Sequence, residues 1–204
     1  MTTYYKTLKA DGMSPYQNTK YHLPHDGKPG RWMPYLKGKL IENKHGYHVV
    51  NKDQLVCWLD ARIFVCETRG KVLDWGAKCG FRPIRLVSEL TTWNERTQRL
   101  FACDCAEHVL GNFENKYPDD DRPRKAIEVA RAFANGTATE EELSAVVSAA
   151  YSARSAARSA AYSARSAAYS ARSAAYSAAY SAERAWQTNR LFEYLDGGDH
   201  ERRN

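Results

Sequence analysis

From Tyr151 to Ala182 the chain uses only four residue types, Tyr, Ser, Ala and Arg, in units such as YSARSAA. Set on a helix at about 100° per residue, these types separate onto distinct faces. Tyr151, Arg154, Arg158, Tyr162, Arg165, Tyr169, Arg172, Tyr176 and Tyr180 fall within an arc of roughly 80°. The serines fill the adjoining strip. The alanines, among them Ala153, Ala164, Ala171 and Ala178, take the remaining, wider face. Alanine has the highest helix propensity, and no Gly or Pro interrupts residues 137–196. The segment is therefore expected to be a long helix reaching Leu195, roughly 80 Å if unbroken; a helical hairpin turning at the serines is the alternative.

Each face carries an expectation. An alanine strip this long is a poor solvent surface, so Ala153, Ala164, Ala171 and Ala178, continued by Trp186, are read as helix-packing positions. Their short side chains admit another helix, either from the same domain or from a second copy, which makes a homo-oligomer through the alanine face one expectation. The Tyr/Arg ridge is read as the partner-binding surface. Tyr and Arg are the residues enriched in protein hot spots, and at three- and four-residue spacing they also stack on one another in solvent. Nucleic acid is the rival occupant, but four arginines spread over the repeat are sparse against one charge per roughly 1.7 Å of duplex.

The 204 residues, 43% hydrophobic and 26% charged, suffice for one large or two small domains. No run of about 18 apolar residues is present, and the opening MTTYYKTLKADG lacks a signal-peptide core. A soluble, cytoplasmic protein without membrane contact is expected. Five cysteines in no framework spacing fit a reducing compartment. A net charge of +6 permits acidic partners without demanding them.

The pattern changes near residues 89–92, giving an α+β fold class: a small β-rich N-terminal module over residues 1–90, a helical domain over 91–196 and a disordered tail over 197–204. In the first part, strands are expected at Tyr4–Lys9, Lys39–Glu42, Tyr47–Val50, Arg62–Glu67 and Ile84–Val87, with a short helix opened by Asn51 and Gln54 in capping-box register. In the second, Thr92 and Glu95 predict a helix to about Phe113 with Trp93, Leu100, Phe101, Cys103 and Leu110 inward. Asp104 falls on that same side without an explanation in the pattern. Asp121 is expected to cap the next helix, Gly136 to close it, and Thr139 with Glu142 to open the alanine-rich one.

Candidate chemistry is thin. His22/His25 and His45/His48 lie in strand and turn contexts that need not converge, and they read as structural or solvated histidines. Cys103 and Cys105 sit about 200° apart on a helix, so one metal cannot take both, His108 notwithstanding. Asp119, Asp120 and Asp121 stand before a helix start, where carboxylates offset the dipole. No phosphate-loop, dinucleotide, nucleophile-elbow or zincin motif is present. No catalytic residue, metal or cofactor is expected, and the protein reads as non-enzymatic.

The segment NERTQRLFACDCAEHVLGNFENKYPDDDRPRKAIEVARAFANG (94–136), then EEL, an alanine-rich helix and WQTNRLFEYL (186–195), resembles the immunity proteins of bacterial polymorphic toxin systems. CAEHVL and PDDDRPRKAIE are its most specific pieces. The resemblance implies a helical domain that binds and neutralises a partner protein. The first part is similar to a small domain of unknown function in phage and bacterial proteins, through YYKTLKADG, GYHVV and DQLVCWL. The usual Gly-Phe-His-Cys pattern of that domain is replaced here by Gly46, Tyr47, His48 and Val49. Together the halves imply a phage or prophage inhibitor of a toxin or defence effector, acting in the host cytoplasm. The alternatives are a nucleic-acid binder using the Tyr/Arg face and a nucleotide-type small-ligand binder near His48.

Overall fold

The computed structural model describes residues 2–146 and 169–197, and for 169–180 the backbone alone. The chain divides into two compact units, Met1–Asn94 with Thr188–Asn204, and Glu95–Gln187. Sheets in the first and helices in the second give the α+β class.

The first unit holds two three-stranded antiparallel sheets. Strands β1 (Tyr4–Leu8), β3 (Arg62–Thr68) and β6 (Ile84–Glu89) form one, in the order β1-β3-β6; β2 (Tyr47–Val49), β4 (Leu73–Asp74) and β5 (Cys79–Phe81) form the other, in the order β2-β5-β4. A bridge between Tyr5 and Val50 ties β1 to the end of β2. Successive residues of a strand point to opposite faces, so burial of both Ile63 and Phe64 shows that central β3 is covered on both sides. A register shift at Val65/Cys66 bends β3 against β6. Leu8, Phe64, Ile84, Leu86, Val49 and Phe81 are central to the shared core. Gly80 is required by a close approach: a Cβ there would stand 2.2 Å from the Trp75 ring.

The box at Asn51 forms as expected. Asn51 Oδ1 accepts from Gln54 N and Gln54 Oε1 from Asn51 N, both at 3.0 Å, opening α1 (Lys52–Leu55). The strand expected at Lys39–Glu42 is corrected. Ile41 and His45 instead exchange backbone hydrogen bonds around a turn in which Asn43 takes φ +60°, which breaks extended pairing. Strands β4 and β5 were not expected, because two or three residues around Gly76 and Gly80 are too short to show alternation.

In the second unit, α2 (Glu95–Glu114) buries Leu100, Phe101, Cys103 and Leu110, and Trp93 just before it is buried in the first unit. The expected Thr92 box is corrected: the helix starts two residues too late for Thr92 to cap it, and the Thr92 hydroxyl donates to the Leu195 carbonyl at 2.8 Å. Helix α3 (Arg122–Ala134) has Asp121 at its N-cap position, but Asp121 makes no side-chain cap and pairs with Lys125 at 2.7 Å. Asp120, one residue earlier, accepts from Arg122 N at 3.2 Å and so meets the first free N–H of the helix. Gly136, at φ +75°, ends α3. The Thr139/Glu142 box is made reciprocally, at 2.8 and 3.2 Å, and opens α4, described over 140–146.

Helix α5 (Tyr169–Leu195) is 27 residues long, ends at the expected Leu195 and is followed by Gly197 at φ +74°. From Thr188 it belongs to the first unit. There Leu191, Phe192, Tyr194 and Leu195 are buried, Phe192 meets Tyr5 edge-on at 5.6 Å, and the Lys52 ammonium lies 4.5 Å from the Phe192 ring. No helix among the described residues is long and apolar enough to cross a membrane.

Candidate functional site

On α2, positions 104, 107 and 108 stand three and four residues apart and so share one side of the helix. Arg131 of α3 reaches across to two of them, donating to Asp104 Oδ1 at 2.8 Å and to Glu107 Oε2 at 2.7 Å. Asp104 is therefore inward because its carboxylate has a guanidinium there. Its partner lies on the next helix, beyond the reach of helical periodicity. Further along the chain, α5 presents Trp186, whose ring stacks on His108 at 3.8 Å and 4°, and Glu183, whose carboxylate lies 3.3 Å from His108 Nε2. His108 is exposed and Trp186 half-buried, so the stack forms part of the unit's surface. Nearby charges are paired as well: Arg124 takes Glu114 in a two-bond fork and Arg122 takes Asp120 likewise. This surface offers stacked rings and oriented ion pairs, the elements of protein recognition.

Of the Tyr/Arg ridge, Tyr151, Arg154, Arg158, Tyr162 and Arg165 lie outside the described residues. Tyr169, Arg172, Tyr176 and Tyr180 lie on α5, with side chains outside the description. On the alanine face, Ala153 and Ala164 are likewise outside, and Ala171 and Ala178 are placed by backbone alone. The signal that could have pointed to the His108–Trp186 stack is the recurrence of ring residues on two helices, but sequence does not pair them.

The remaining candidates separate. Cys103 is buried and its thiol is pushed up chiefly by burial, while Cys105 is half-buried. Among the described residues, no three His, Cys, Asp or Glu side chains cluster as a metal site. His25 pairs with Asp26 at 2.8 Å on an exposed turn. His48 is held apart from these: its Nε2 accepts from Asn43 N at 3.1 Å, and its ring lies 5.4 Å from Trp75. Burial first, then the positive charges of Lys78 and Lys6, bring the His48 pKa down to about 4. Between that value and the ordinary 6.5 the unfolded chain holds more protons, so the stability of the first unit is expected to fall as pH drops through this window. Tryptophan-monitored melts at stepped pH should show the decline, and His48→Gln should flatten it; an unchanged slope in the variant would remove His48 as the cause.

Residues 88–186 match the family described as Imm-5 like putative immunity protein, a range that contains nearly all of the second unit. Of the segment WQTNRLFEYL only Trp186 falls inside it. No curated protein and no solved structure matches the chain.

Proposed function

Proceeding from an immunity-protein match over the helical unit, we propose that the chain is a non-enzymatic inhibitor that binds and neutralises a toxin or defence effector. The match is the observation that carries this reading. The surface chemistry supports it: the His108–Trp186 stack, the Arg131 fork and a helix α3 none of whose side chains is fully buried give a binder aromatic and arginine anchors on a preorganised frame. The Tyr/Arg residues from Tyr151 to Tyr180 are proposed as part of the same contact, and Ala153, Ala164, Ala171, Ala178 and Trp186 as packing positions that a second copy can use. Phage or prophage origin belongs to this proposal, resting on the N-terminal resemblance, as does action in the cytoplasm.

The full chain is expected to retain one protein in stoichiometric amount from cells that encode the effector, and to abolish that protein's activity when the two are mixed pure. Recovering nucleic acid with no stoichiometric protein would overturn the proposal. In that event affinity should fall steeply with salt and vanish when Arg154, Arg158, Arg165 and Arg172 are replaced together.

A further inference from the structure

The first unit holds a partly open cleft of about 260 Å³ between β1, the end of β2 and the loops around residues 14–17 and 43. That is just under the roughly 300 Å³ at which small-molecule sites begin, and the open side leaves room for part of a ligand outside it. Two lysines line it and are nearly withdrawn from solvent, Lys6 at 8% and Lys78 at 6% exposed. Lys78 bonds Asn43 Oδ1, lies 4.5 Å from the Trp58 ring and has the Glu42 carboxylate at 3.8 Å. Lys6 is different. Among the described residues its ammonium has no ion-pair or hydrogen-bond partner; the Tyr21 ring lies 5.4 Å away, and Cys66 and Asp60 act on it through space. Buried cations are ordinarily paired, so an uncompensated one facing a cavity is the mark of a site that expects an anion. Burial, opposed by the fields of Cys66 and Asp60 and reinforced by Lys78, brings the Lys6 pKa down to about 8, which leaves it largely protonated at neutral pH.

The rest of the lining is aromatic and polar. Trp58 and Tyr16 meet edge-on at 6.0 Å, Tyr16 is 81% exposed, and Ser14 is buried in the wall. Exposed Tyr16 and half-buried Trp58 supply π-faces for a planar group, and the two buried lysines supply partners for its charge. We propose that this cavity binds a small phosphorylated ligand with a planar ring, a mononucleotide, with Lys6 and Lys78 on the phosphate and Trp58 and Tyr16 against the ring.

Calorimetric titration of the full chain with AMP, GMP, CMP and UMP, beside adenosine and inorganic phosphate, tests this. At least one mononucleotide should bind, adenosine should not, and inorganic phosphate should bind more weakly. Lys6→Met should weaken mononucleotide binding at least tenfold while melting at or above the parent, because it removes an uncompensated buried charge. Lys78→Met supplies a second reading should that variant not fold. The proposal fails if none of the four mononucleotides binds, or if both variants bind like the parent. Phosphate binding as tight as any mononucleotide would overturn ring recognition.

Discussion

A chain ending at Gln187 is expected to lose the cooperative unfolding transition of its sheet unit. Residues 188–197 contribute Leu191 at 0%, Tyr194 at 1%, Leu195 at 6% and Phe192 at 8% exposure to the first unit. Burying one such side chain is worth roughly 1.5–3 kcal/mol, against about 5–15 kcal/mol for a whole domain. Removing four together takes away roughly 6–12 kcal/mol, comparable to the whole stability of a small sheet unit. Single substitutions grade the effect: Tyr194→Ala and Leu191→Ala should each cost about 3–5 kcal/mol. Phe192→Leu, at a site closer to solvent and resting edge-on against Tyr5, should cost less. Chemical denaturation followed by tryptophan fluorescence reads all four variants. A truncated chain that unfolds like the parent would show that these residues cover the unit without stabilising it.

The second large effect is expected from Arg131→Met. The Asp104 carboxylate is 9% exposed and takes one arm of the Arg131 guanidinium, which is itself 32% exposed. Removing the guanidinium takes a charge-assisted partner from a buried carboxylate, a change worth roughly 2–4 kcal/mol in a partly exposed pair. Asp104→Asn in the Arg131→Met background should recover part of that loss, because a neutral amide tolerates burial better than a carboxylate. Glu107→Gln, whose side chain is 53% exposed, should cost well under 1 kcal/mol. The double-mutant cycle separates the pair from the general loss of a long side chain, and strict additivity would refute the coupling.

What could be read from the sequence was local. The NKDQ and TEEE stretches carry their own hydrogen-bond partners within four residues, so the boxes at Asn51 and Thr139 were legible. So was the inward line Leu100, Phe101, Cys103 and Leu110, which follows helical spacing. Thr92 matched the same capping pattern, yet its hydroxyl serves a carbonyl 103 residues away. Asp104 looked like an error until Arg131 supplied its charge from another helix. That Lys6 and Lys78 are both buried beside one cavity was not legible, because nothing in two lysines 72 positions apart reveals that the fold brings them together. The grouping of residues 188–197 with the sheets was equally hidden, since the helical pattern runs through Gln187 without punctuation.

The link from Thr92 to Leu195 also has a consequence measured in time. Ribosomes add about 5–20 residues per second, so the 103 positions between these partners separate the emergence of the last sheet strand from that of its closing helical turns by roughly 5–20 s. Helix and hairpin formation finish within microseconds. The sheet unit therefore waits for residues 188–197 before its core is complete. For those seconds the apolar surface destined for Leu191, Phe192 and Tyr194 is available to chaperones, and the arrival of residues 188–197 sets the moment at which the unit becomes native.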